Sequence, residues 1–369
     1  MTFLKIQLLG ILVFFSLIGN SQMVSTYFDS AQFKITDDLI FDQQGNLFGS
    51  DYSGNSVYKI STNGAVSSFV SGLHAPNGLA FDSNGNLFIC DNTGNRIFKV
   101  DPNGLPLDTI DIVNPSGIIK QMGSDTMVFT TYAGHKLIKL APDGTMIDWH
   151  SGPPLRGPVG LAYDDFGKLY LGNFTDRKIF EVRKDSLVYI ATVPGTGGSS
   201  LGFISYSNNF LWATNFQNHK IYRVHLGYTD SVVLFAGSTA GSTEGSIDSA
   251  KFNRPNGILA KGDSLFISEY GTGKIRLISN VSLGIYSPIR TDYVDVFPNP
   301  AKEFIRIKFS ELVEGENWQV MDQNGRIIRS GRVFDSEMEI DIRQMPRGIY
   351  FFQIINTKEN FGSYRFIKN

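Results

Sequence analysis

The chain has 369 residues with 33 basic and 35 acidic side chains, a formal net charge of -2. This balance gives no electrostatic reason to expect a nucleic acid or an anionic membrane surface as a partner. The single cysteine, Cys90, excludes an intramolecular disulfide, and a hydrophobic content of 42% is sufficient for two packed domains.

The first 21 residues have the pattern of a signal peptide. Lys5 precedes an apolar run from Ile6 to Ile18, and small residues follow at Gly19-Asn20-Ser21. The run is too short to span a bilayer, and no later stretch is long and apolar enough for a transmembrane anchor. We therefore predict a signal peptide over residues 1–21 and export to the periplasm.

A unit of about 40 residues recurs six times in the region that follows. Its clearest copy, Pro76 to Val100, contains an apolar run, a turn rich in Asp, Asn and Gly, and two further apolar strands. A more variable fourth strand completes each unit. Strand-rich repeats of this length are typical of β-propellers with four antiparallel strands per blade. The expected fold is all-β, with a six-bladed β-propeller over residues 22–290.

A polar residue closes the second predicted strand of each repeat, and the intervals between these residues are 40, 40, 42, 42 and 54. They are Asp51, Asp91, Thr131, Asn173, Asn215 and Glu269. The long last interval contains an insertion, residues 237–254. Within it, Asp248 to Phe252 echoes Asp29 to Phe33, so the chain begins partway through a repeat. We predict that Val24 to Phe28 supplies the fourth strand of the last blade; the alternative is Val281 to Ser287.

The second repeat resembles the NHL-repeat propellers of the lactonase-like superfamily. Asp91-Asn92-Thr93-Gly94-Asn95-Arg96-Ile97 is similar to the signature of that family, and the resemblance extends over residues 24 to about 281. Repeat three departs from it with Thr131 and His135, and repeat five lacks the Pro-x-Gly start. The resemblance implies a six-bladed ring.

From Asp295 the pattern changes to alternating runs of five to seven residues, which predict a small Ig-like β-sandwich of about seven strands over residues 291–369. Its motifs are Pro298-Asn299-Pro300, Asp322-x-x-Gly325-Arg326, Met345-x-x-Gly348-Ile349-Tyr350 and a final strand containing Lys368. In this order they resemble the C-terminal sorting domain of type IX secretion substrates in Bacteroidetes. The resemblance implies transfer by the type IX machinery from the periplasm across the outer membrane, then attachment to the surface or release. The alternative is an ordinary Ig-like adhesion module.

In a four-stranded blade, the loop before the first strand lies on the same face as the loop joining the second and third strands. Residues at both positions are therefore expected around one end of the central channel. Those before or at the first strands are Asp37, Asn77, Ser116, Val159 and Asn256. The candidate ligand-binding residues are Asp51, Asp91, Asn173, Asn215 and Asn256, and the candidate metal ligands are Glu269, Asn256, Asn215 and Asp91. Carboxylate and amide oxygens suit calcium or another divalent cation. The competing interpretation is that these side chains bind backbone amides and stabilise turns.

Two functions follow from these patterns. The favoured one is a secreted or cell-surface propeller that binds a protein, glycan or small ligand without catalysis and with no cofactor identified. The alternative, implied by the resemblance, is a metal-dependent hydrolase or lyase of the gluconolactonase kind. Against it, no Glu precedes Glu181, and the expected Pro-Asp-Gly start of a blade is absent. The sequence identifies no catalytic residue.

Overall fold

The computed structural model describes residues 22–226, 229–281, 294–309, 317–322, 326–355 and 360–369. The chain divides into two compact units, residues 1–283 and 284–369. Throughout the described ranges the regular structure consists of β-strands, without an α-helix. The predicted signal peptide lies outside these ranges, as does the alternative edge strand beyond Val281. None of the described segments forms a helix that could cross a membrane.

The described part of the first unit contains six antiparallel sheets. The first sheet comprises β2 (Leu39–Phe41), β3 (Leu47–Ser50), β4 (Val57–Ile60) and β5 (Val66–Val70). The second comprises β6 (Pro76–Phe81), β7 (Leu87–Asp91), β8 (Arg96–Val100) and β9 (Pro106–Asp111). The third comprises β10 (Pro115–Lys120), β11 (Met127–Thr131), β12 (Lys136–Leu140) and β13 (Met146–Ser151). The fourth comprises β14 (Pro158–Tyr163), β15 (Leu169–Asn173), β16 (Lys178–Val182) and β17 (Leu187–Thr192). The fifth comprises β18 (Leu201–Ser207), β19 (Phe210–Asn215), β20 (Lys220–His225) and β21 (Val232–Ala236).

The sixth sheet combines strands from both ends of the unit. Its members are β1 (Met23–Phe28), β22 (Gly245–Ser246), β23 (Pro255–Lys261), β24 (Ser264–Glu269) and β25 (Ile275–Ser279), in the order β22-β1-β25-β24-β23. β1 pairs antiparallel with β25, with Val24 opposite Ile278. This confirms the prediction that Val24 to Phe28 completes the last repeat. The pairing covers an edge of β25 that would otherwise expose unpaired backbone groups, and β22, from the insertion, adds a short outer strand.

Consecutive sheets of the first unit pack on one another through hydrophobic clusters. Phe48 of the first sheet lies in one cluster with Leu87 and Ile89 of the second. A corresponding cluster joins the last sheet to the first, where Phe266 packs with Leu39. The first sheet is therefore in contact with the sixth as well as with the second.

Hydroxyl side chains join the inner ends of some neighbouring sheets. Ser50, Thr214 and Ser268 each lie one residue before the polar residue that closes a second strand. Each donates a hydrogen bond to a backbone carbonyl at the start of the next sheet. The three bonds run from Ser50 Oγ to Asn77 O (2.7 Å), from Thr214 Oγ1 to Asn256 O (2.6 Å) and from Ser268 Oγ to Asp37 O (2.5 Å). Buried hydroxyl–carbonyl bonds of this kind hold the starts of the first strands at a fixed separation.

The described residues of the second unit form two antiparallel sheets with a shared core. One comprises β26 (Val294–Phe297), β27 (Phe304–Phe309) and β30 (Glu337–Asp341). The other comprises β28 (Asn317–Asp322), β29 (Ile327–Arg332), β31 (Gly348–Ile355) and β32 (Asn360–Lys368). A single buried cluster contains Ile305 and Ile307 of the first sheet and Val320, Phe352 and Phe366 of the second.

The motifs of the tail are joined by hydrogen bonds. Asn299, between its two prolines, donates from Nδ2 to Arg365 O (3.1 Å) and accepts at Oδ1 from Ile367 N (2.9 Å). Tyr350 donates from its hydroxyl to Pro346 O (2.9 Å). The Pro-Asn-Pro segment is therefore attached to the last strand of the unit.

Candidate functional site

A cavity of about 270 Å³ lies where the first strands of the six sheets begin, and each sheet contributes two residues to its wall. The lower tier consists of residues at or just before the first strands: Asp37, Asn77, Ser116, Val159, Phe203 and Asn256. Each residue of the upper tier directly follows the polar residue that closes a second strand. These residues are Tyr52, Asn92, Tyr132, Phe174, Phe216 and Tyr270. The lower tier is buried, whereas all of the upper tier except Asn92 is partly or fully exposed. The cavity therefore opens on the side of the upper tier.

Five of the six upper-tier residues are aromatic, and we call Tyr52, Tyr132, Phe174, Phe216 and Tyr270 the aromatic collar. Its ring centroids are 5.9 Å apart for Tyr132 and Phe174, 6.2 Å for Phe174 and Phe216, and 5.2 Å for Phe216 and Tyr270. These separations are typical of favourable aromatic pairs. The collar thus forms a continuous aromatic wall from the third sheet to the sixth.

The cavity has a polar and an apolar side, which are formed by different sheets. The fourth and fifth sheets contribute Val159 and Phe203 below, with Phe174 and Phe216 above. The other four sheets each contribute a polar side chain to the lower tier: Asp37, Asn77, Ser116 and Asn256. Above these polar residues lie Tyr52, Asn92, Tyr132 and Tyr270. A bound molecule would therefore meet hydrogen-bonding groups on one side and hydrocarbon on the other.

Among the described residues that line this cavity, Asp37 is the only carboxylic acid. Asn256 donates from Nδ2 to Asp37 Oδ1 at 2.7 Å, across the boundary between the sixth and first sheets. Burial raises the pKa of Asp37 well above its ordinary value, and the neighbouring carboxylates of Asp38 and Asp51 raise it further. The protonated form of Asp37 therefore persists to a higher pH than that of an exposed aspartate.

Two polar atoms of the lower tier have no hydrogen-bond partner within the described part of the chain. They are Asn77 Oδ1 and Ser116 Oγ, on residues that are 7% and 1% exposed. Leaving such a group buried and unpaired costs about 1–3 kcal/mol. A molecule in the cavity that bonds to them would recover this free energy.

Of the six residues proposed from the sequence for ligand or metal binding, only Asn256 lines the cavity. The other five lie directly before upper-tier residues, and the structure does not bring their side chains together in the channel. In the predicted polar funnel the strand-end residues form this wall, whereas aromatic residues hold five of its six positions. Because successive side chains of an extended chain point to opposite sides, Asn92 faces the cavity and Asp91 does not. A role of these five residues in binding stays a prediction.

The two aspartates among them stabilise the loop that precedes the first strand of their own sheet. Asp91 accepts from His74 N at 2.6 Å and forms an ion pair with Arg96 at 3.3 Å. Asp51 accepts from the hydroxyl of Thr36 at 3.0 Å. Both carboxylates are buried. These contacts support the interpretation of Asp51 and Asp91 as framework residues.

Asn173, Asn215 and Glu269 make equivalent contacts in the later sheets. Asn173 Nδ2 donates to Pro154 O at 2.9 Å, and Asn215 Nδ2 donates to Pro194 O at 2.8 Å. Glu269 Oε1 accepts from the backbone N–H of the loop before β23 (3.0 Å) and from Arg276 Nη1 (3.2 Å). Each side chain thus fixes the loop that carries a lower-tier residue, and acts on the cavity through the backbone.

A calcium-type metal centre does not fit the described arrangement. Calcium takes six to eight oxygen ligands, with carboxylates prominent among them. Within the described ranges there is no group of three or more His, Cys, Asp or Glu residues that could hold a metal ion. Of the proposed metal ligands, Glu269 is paired with Arg276 and Asp91 with Arg96.

Sequence reasoning missed the aromatic collar and Phe203. A signal for the collar was present: the residue directly after the polar strand end is aromatic in five of the six repeats. The polar strand ends were predicted as ligands because their side chains carry carboxylate and amide oxygens. The positions expected before or at the first strands, such as Asn77 and Ser116, do line the cavity.

Residues 295–369 match a family described as the secretion system C-terminal sorting domain. This confirms the resemblance seen in the tail, and the chain therefore carries a domain of type IX secretion substrates. The domain indicates secretion to the cell surface or the exterior. Among curated proteins, none matches the sequence significantly.

Solved structures with a similar fold come from proteins of several kinds. An auxiliary nutrient binding protein from Bacteroides thetaiotaomicron is 15% identical, with a TM-score of 0.59 over 70% of this chain and 76% of that chain. A gluconolactonase from Xanthomonas campestris is 18% identical, with a TM-score of 0.53 over 70% and 89% of the two chains. A virginiamycin B lyase from Staphylococcus aureus is 18% identical, with a TM-score of 0.51 over 65% and 79%. At these identities the likeness concerns the fold alone: this chain shares a β-propeller fold with these proteins.

Proposed function

We propose that this chain is an exported, non-catalytic binding protein that holds a small molecule in the cavity of a six-bladed propeller. In this proposal, residues 1–21 are a signal peptide, residues 22–290 form the propeller and residues 291–369 form an Ig-like sorting domain. The contact between the first and sixth sheets supports closure of the ring. Secretion through the type IX system would place the binding site at the cell surface or outside the cell.

The observation that carries the proposal is the pair of unpartnered polar atoms beneath the aromatic collar. Asn77 Oδ1 and Ser116 Oγ are buried and lack partners among the described residues, and both residues line a cavity of about 270 Å³. Concave sites with an apolar wall and a few converging polar groups are characteristic of small-molecule binding. A folded protein or a glycan polymer would contact the rim of such a cavity, whereas only a small molecule can reach its floor.

The alternative function, a metal-dependent hydrolase or lyase, has less support in these residues. The lining contains a single carboxyl group, Asp37, and that group already accepts a hydrogen bond from Asn256. Similarity of fold to a gluconolactonase and a lyase does not carry their activity over, because one fold hosts many unrelated functions. A nutrient-binding role, as in the Bacteroides protein of similar fold, agrees better with the cavity.

Saturation-transfer NMR with a chemically mixed fragment set tests whether the cavity binds small molecules. Residues 22–369 are compared with the Ser116→Leu variant, which fills the floor of the cavity. Ser67→Leu, at an exposed serine on β5, is the matched control. We expect fragments that bind the unmodified protein and the control to lose their signal with Ser116→Leu.

Asn77→Leu serves as a second cavity variant, and near-ultraviolet circular dichroism checks that each variant keeps its tertiary packing. The proposal is wrong if no fragment binds, or if the bound fragments are unaffected by both folded cavity variants.

A further inference from the structure

We infer that the natural ligand is an uncharged, flat aromatic or heteroaromatic molecule of one or two rings, with a hydrogen-bond donor on one edge. The inference rests on the proposed small-molecule site and specifies its ligand. In the bound orientation, the polar edge meets Asn77 and Ser116, and the apolar edge lies against Phe203 and Val159.

Because the cavity has a polar side and an apolar side, the ligand must carry its polar groups on one edge. Val159 and Phe203 form the apolar half of the floor, and Phe174 and Phe216 stand directly above them. A polyol such as a monosaccharide carries hydroxyl groups around its whole ring. On the apolar half these hydroxyls would be buried without partners, which opposes binding. A ring with polar atoms on one edge alone leaves no such group unpaired.

The aromatic collar favours a flat apolar surface between its rings. Four of its five members, from Tyr132 of the third sheet to Tyr270 of the sixth, form a continuous series with centroid separations of 5.2–6.2 Å. Aromatic side chains prefer offset-stacked or edge-to-face neighbours, and a planar ligand can make either contact with several of them at once.

The lining residues also select an uncharged molecule. The described lining contains no Lys, Arg or His side chain, and its single acid, Asp37, is buried and hydrogen-bonded to Asn256. An anionic ligand would lose its hydration in the cavity without meeting a positive charge, which is strongly unfavourable. A cationic ligand would meet only Asp37, whose Oδ1 already accepts from Asn256.

The unpartnered atoms set the hydrogen-bonding pattern. Asn77 Oδ1 is an acceptor, so the ligand must present a donor to it, whereas Ser116 Oγ can donate or accept. The volume sets the size: an apolar protein cavity of about 150 Å³ holds benzene, and this cavity measures about 270 Å³. One substituted ring or two fused rings therefore fit.

Calorimetric titration of the full chain with four small probes tests the ligand class. The probes are 2-naphthol, 2-methoxynaphthalene, which lacks the donor, 2-naphthoate, which is charged, and methyl glucoside, which is polar throughout. We expect 2-naphthol to bind about tenfold more tightly than 2-methoxynaphthalene, the ratio for one hydrogen bond to a buried acceptor. We expect 2-naphthoate to bind at least about tenfold more weakly than 2-naphthol. Methyl glucoside should not bind.

The Asn77→Leu variant tests whether Asn77 Oδ1 causes the preference for 2-naphthol over 2-methoxynaphthalene. We expect it to reduce the naphthol-to-methoxynaphthalene ratio to about one, while the exposed-turn control Asn63→Leu keeps the original ratio. A folded Asn77→Leu protein that retains the tenfold preference would overturn the assignment of the donor site.

The outcomes also separate this inference from the proposed function. Binding of methyl glucoside in preference to the naphthalenes would overturn the ligand class and leave a small-molecule site in place. Equal binding of 2-naphthol and 2-methoxynaphthalene would overturn the donor requirement. If none of the four probes binds, the ligand class is wrong, and the fragment comparison with Ser116→Leu decides whether the cavity binds any small molecule.

Discussion

Asp38 connects the first two sheets through both of its carboxylate oxygens. Oδ1 accepts from Leu39 N at 2.8 Å and Oδ2 accepts from Leu79 N at 2.9 Å. Burial raises the pKa of Asp38 to about 7, although these two bonds oppose the shift. Its neighbour Asp37 also has a raised pKa, in part because of Asp38 itself. The folded protein therefore holds protons on this pair that the unfolded chain releases near pH 4.

The sign of the resulting pH dependence follows from proton binding. Between about pH 4 and about pH 7, Asp38 is protonated to a greater extent in the folded than in the unfolded state, so its contribution to the free energy of unfolding falls as the pH rises. For one group the slope approaches about 1.4 kcal/mol per pH unit. We expect Asp38→Asn to flatten this decline, because it removes one titrating group and the charge that raises the pKa of Asp37. Urea denaturation across this pH range measures the slope.

The exposed Asp111→Asn variant is the control for this measurement and should keep the slope of the unmodified protein. An Asp38→Asn protein with an unchanged slope would contradict the assignment of the titration to Asp38.

Glu269 and Arg276 form an ion pair in which both side chains are 0% exposed. Arg276 also donates from Nη1 to Lys251 O (2.9 Å) and from Nη2 to Thr243 O (3.2 Å), and thereby holds the insertion against the last sheet. Removing one partner of a buried pair leaves the other charge uncompensated. We expect Glu269→Gln to reduce the free energy of unfolding by about 3–5 kcal/mol, measured by chemical denaturation.

The matched comparison is Glu181→Gln, because Glu181 pairs with Arg183, whose side chain is 57% exposed. Exposed pairs contribute about 0–1 kcal/mol. Equal losses in the two variants would show that the buried pair has no special structural role.

At the scale of elements, β1 completes the last sheet of the first unit. Val24 is 1% exposed and packs in the cluster that joins the fifth and sixth sheets. Its backbone lies opposite Ile278 on β25. β1, although far in sequence from β25, therefore belongs to the sixth sheet and to the core between the fifth and sixth sheets.

An aspartate at position 24 would place a charge in this core. We expect Val24→Asp to reduce the free energy of unfolding by about 3 kcal/mol or more and to speed amide hydrogen exchange in Ile275–Ser279. Met23→Asp, at the neighbouring residue with 43% exposure, should change both quantities much less. If exchange in β25 were unaffected by Val24→Asp, the contribution of β1 to this edge would be refuted.

At the scale of the whole molecule, the sorting domain and the cavity belong to different compact units. Residues 295–369 match the sorting family, and the contact-based division places these residues and the cavity in different units. We expect deletion of residues 295–369 to leave the protein in the periplasm, because the type IX machinery no longer has its recognition domain. Cell fractionation and immunodetection measure its location. Appearance of the truncated protein at the surface would contradict the role of the tail, and fragment binding by the truncated protein checks that the cavity is intact.

The sequence by itself determined the strands, the repeats and the destination of this protein. Alternating apolar runs and turns of Asp, Asn and Gly are local signals, and the echo of Asp29 to Phe33 at Asp248 to Phe252 was sufficient to predict that β1 pairs in the last sheet. The sorting motifs are also short and local.

Only the tertiary structure decided which side chains face the cavity. Asp91 and Asn92 are adjacent, and a change of one position moves a side chain to the opposite side of the strand. The pattern of polar residues therefore suggested a funnel, whereas the structure places an aromatic collar there. The polar and apolar sides arise from residues contributed by six sheets, and no segment of the chain contains that arrangement until the sheets are packed together.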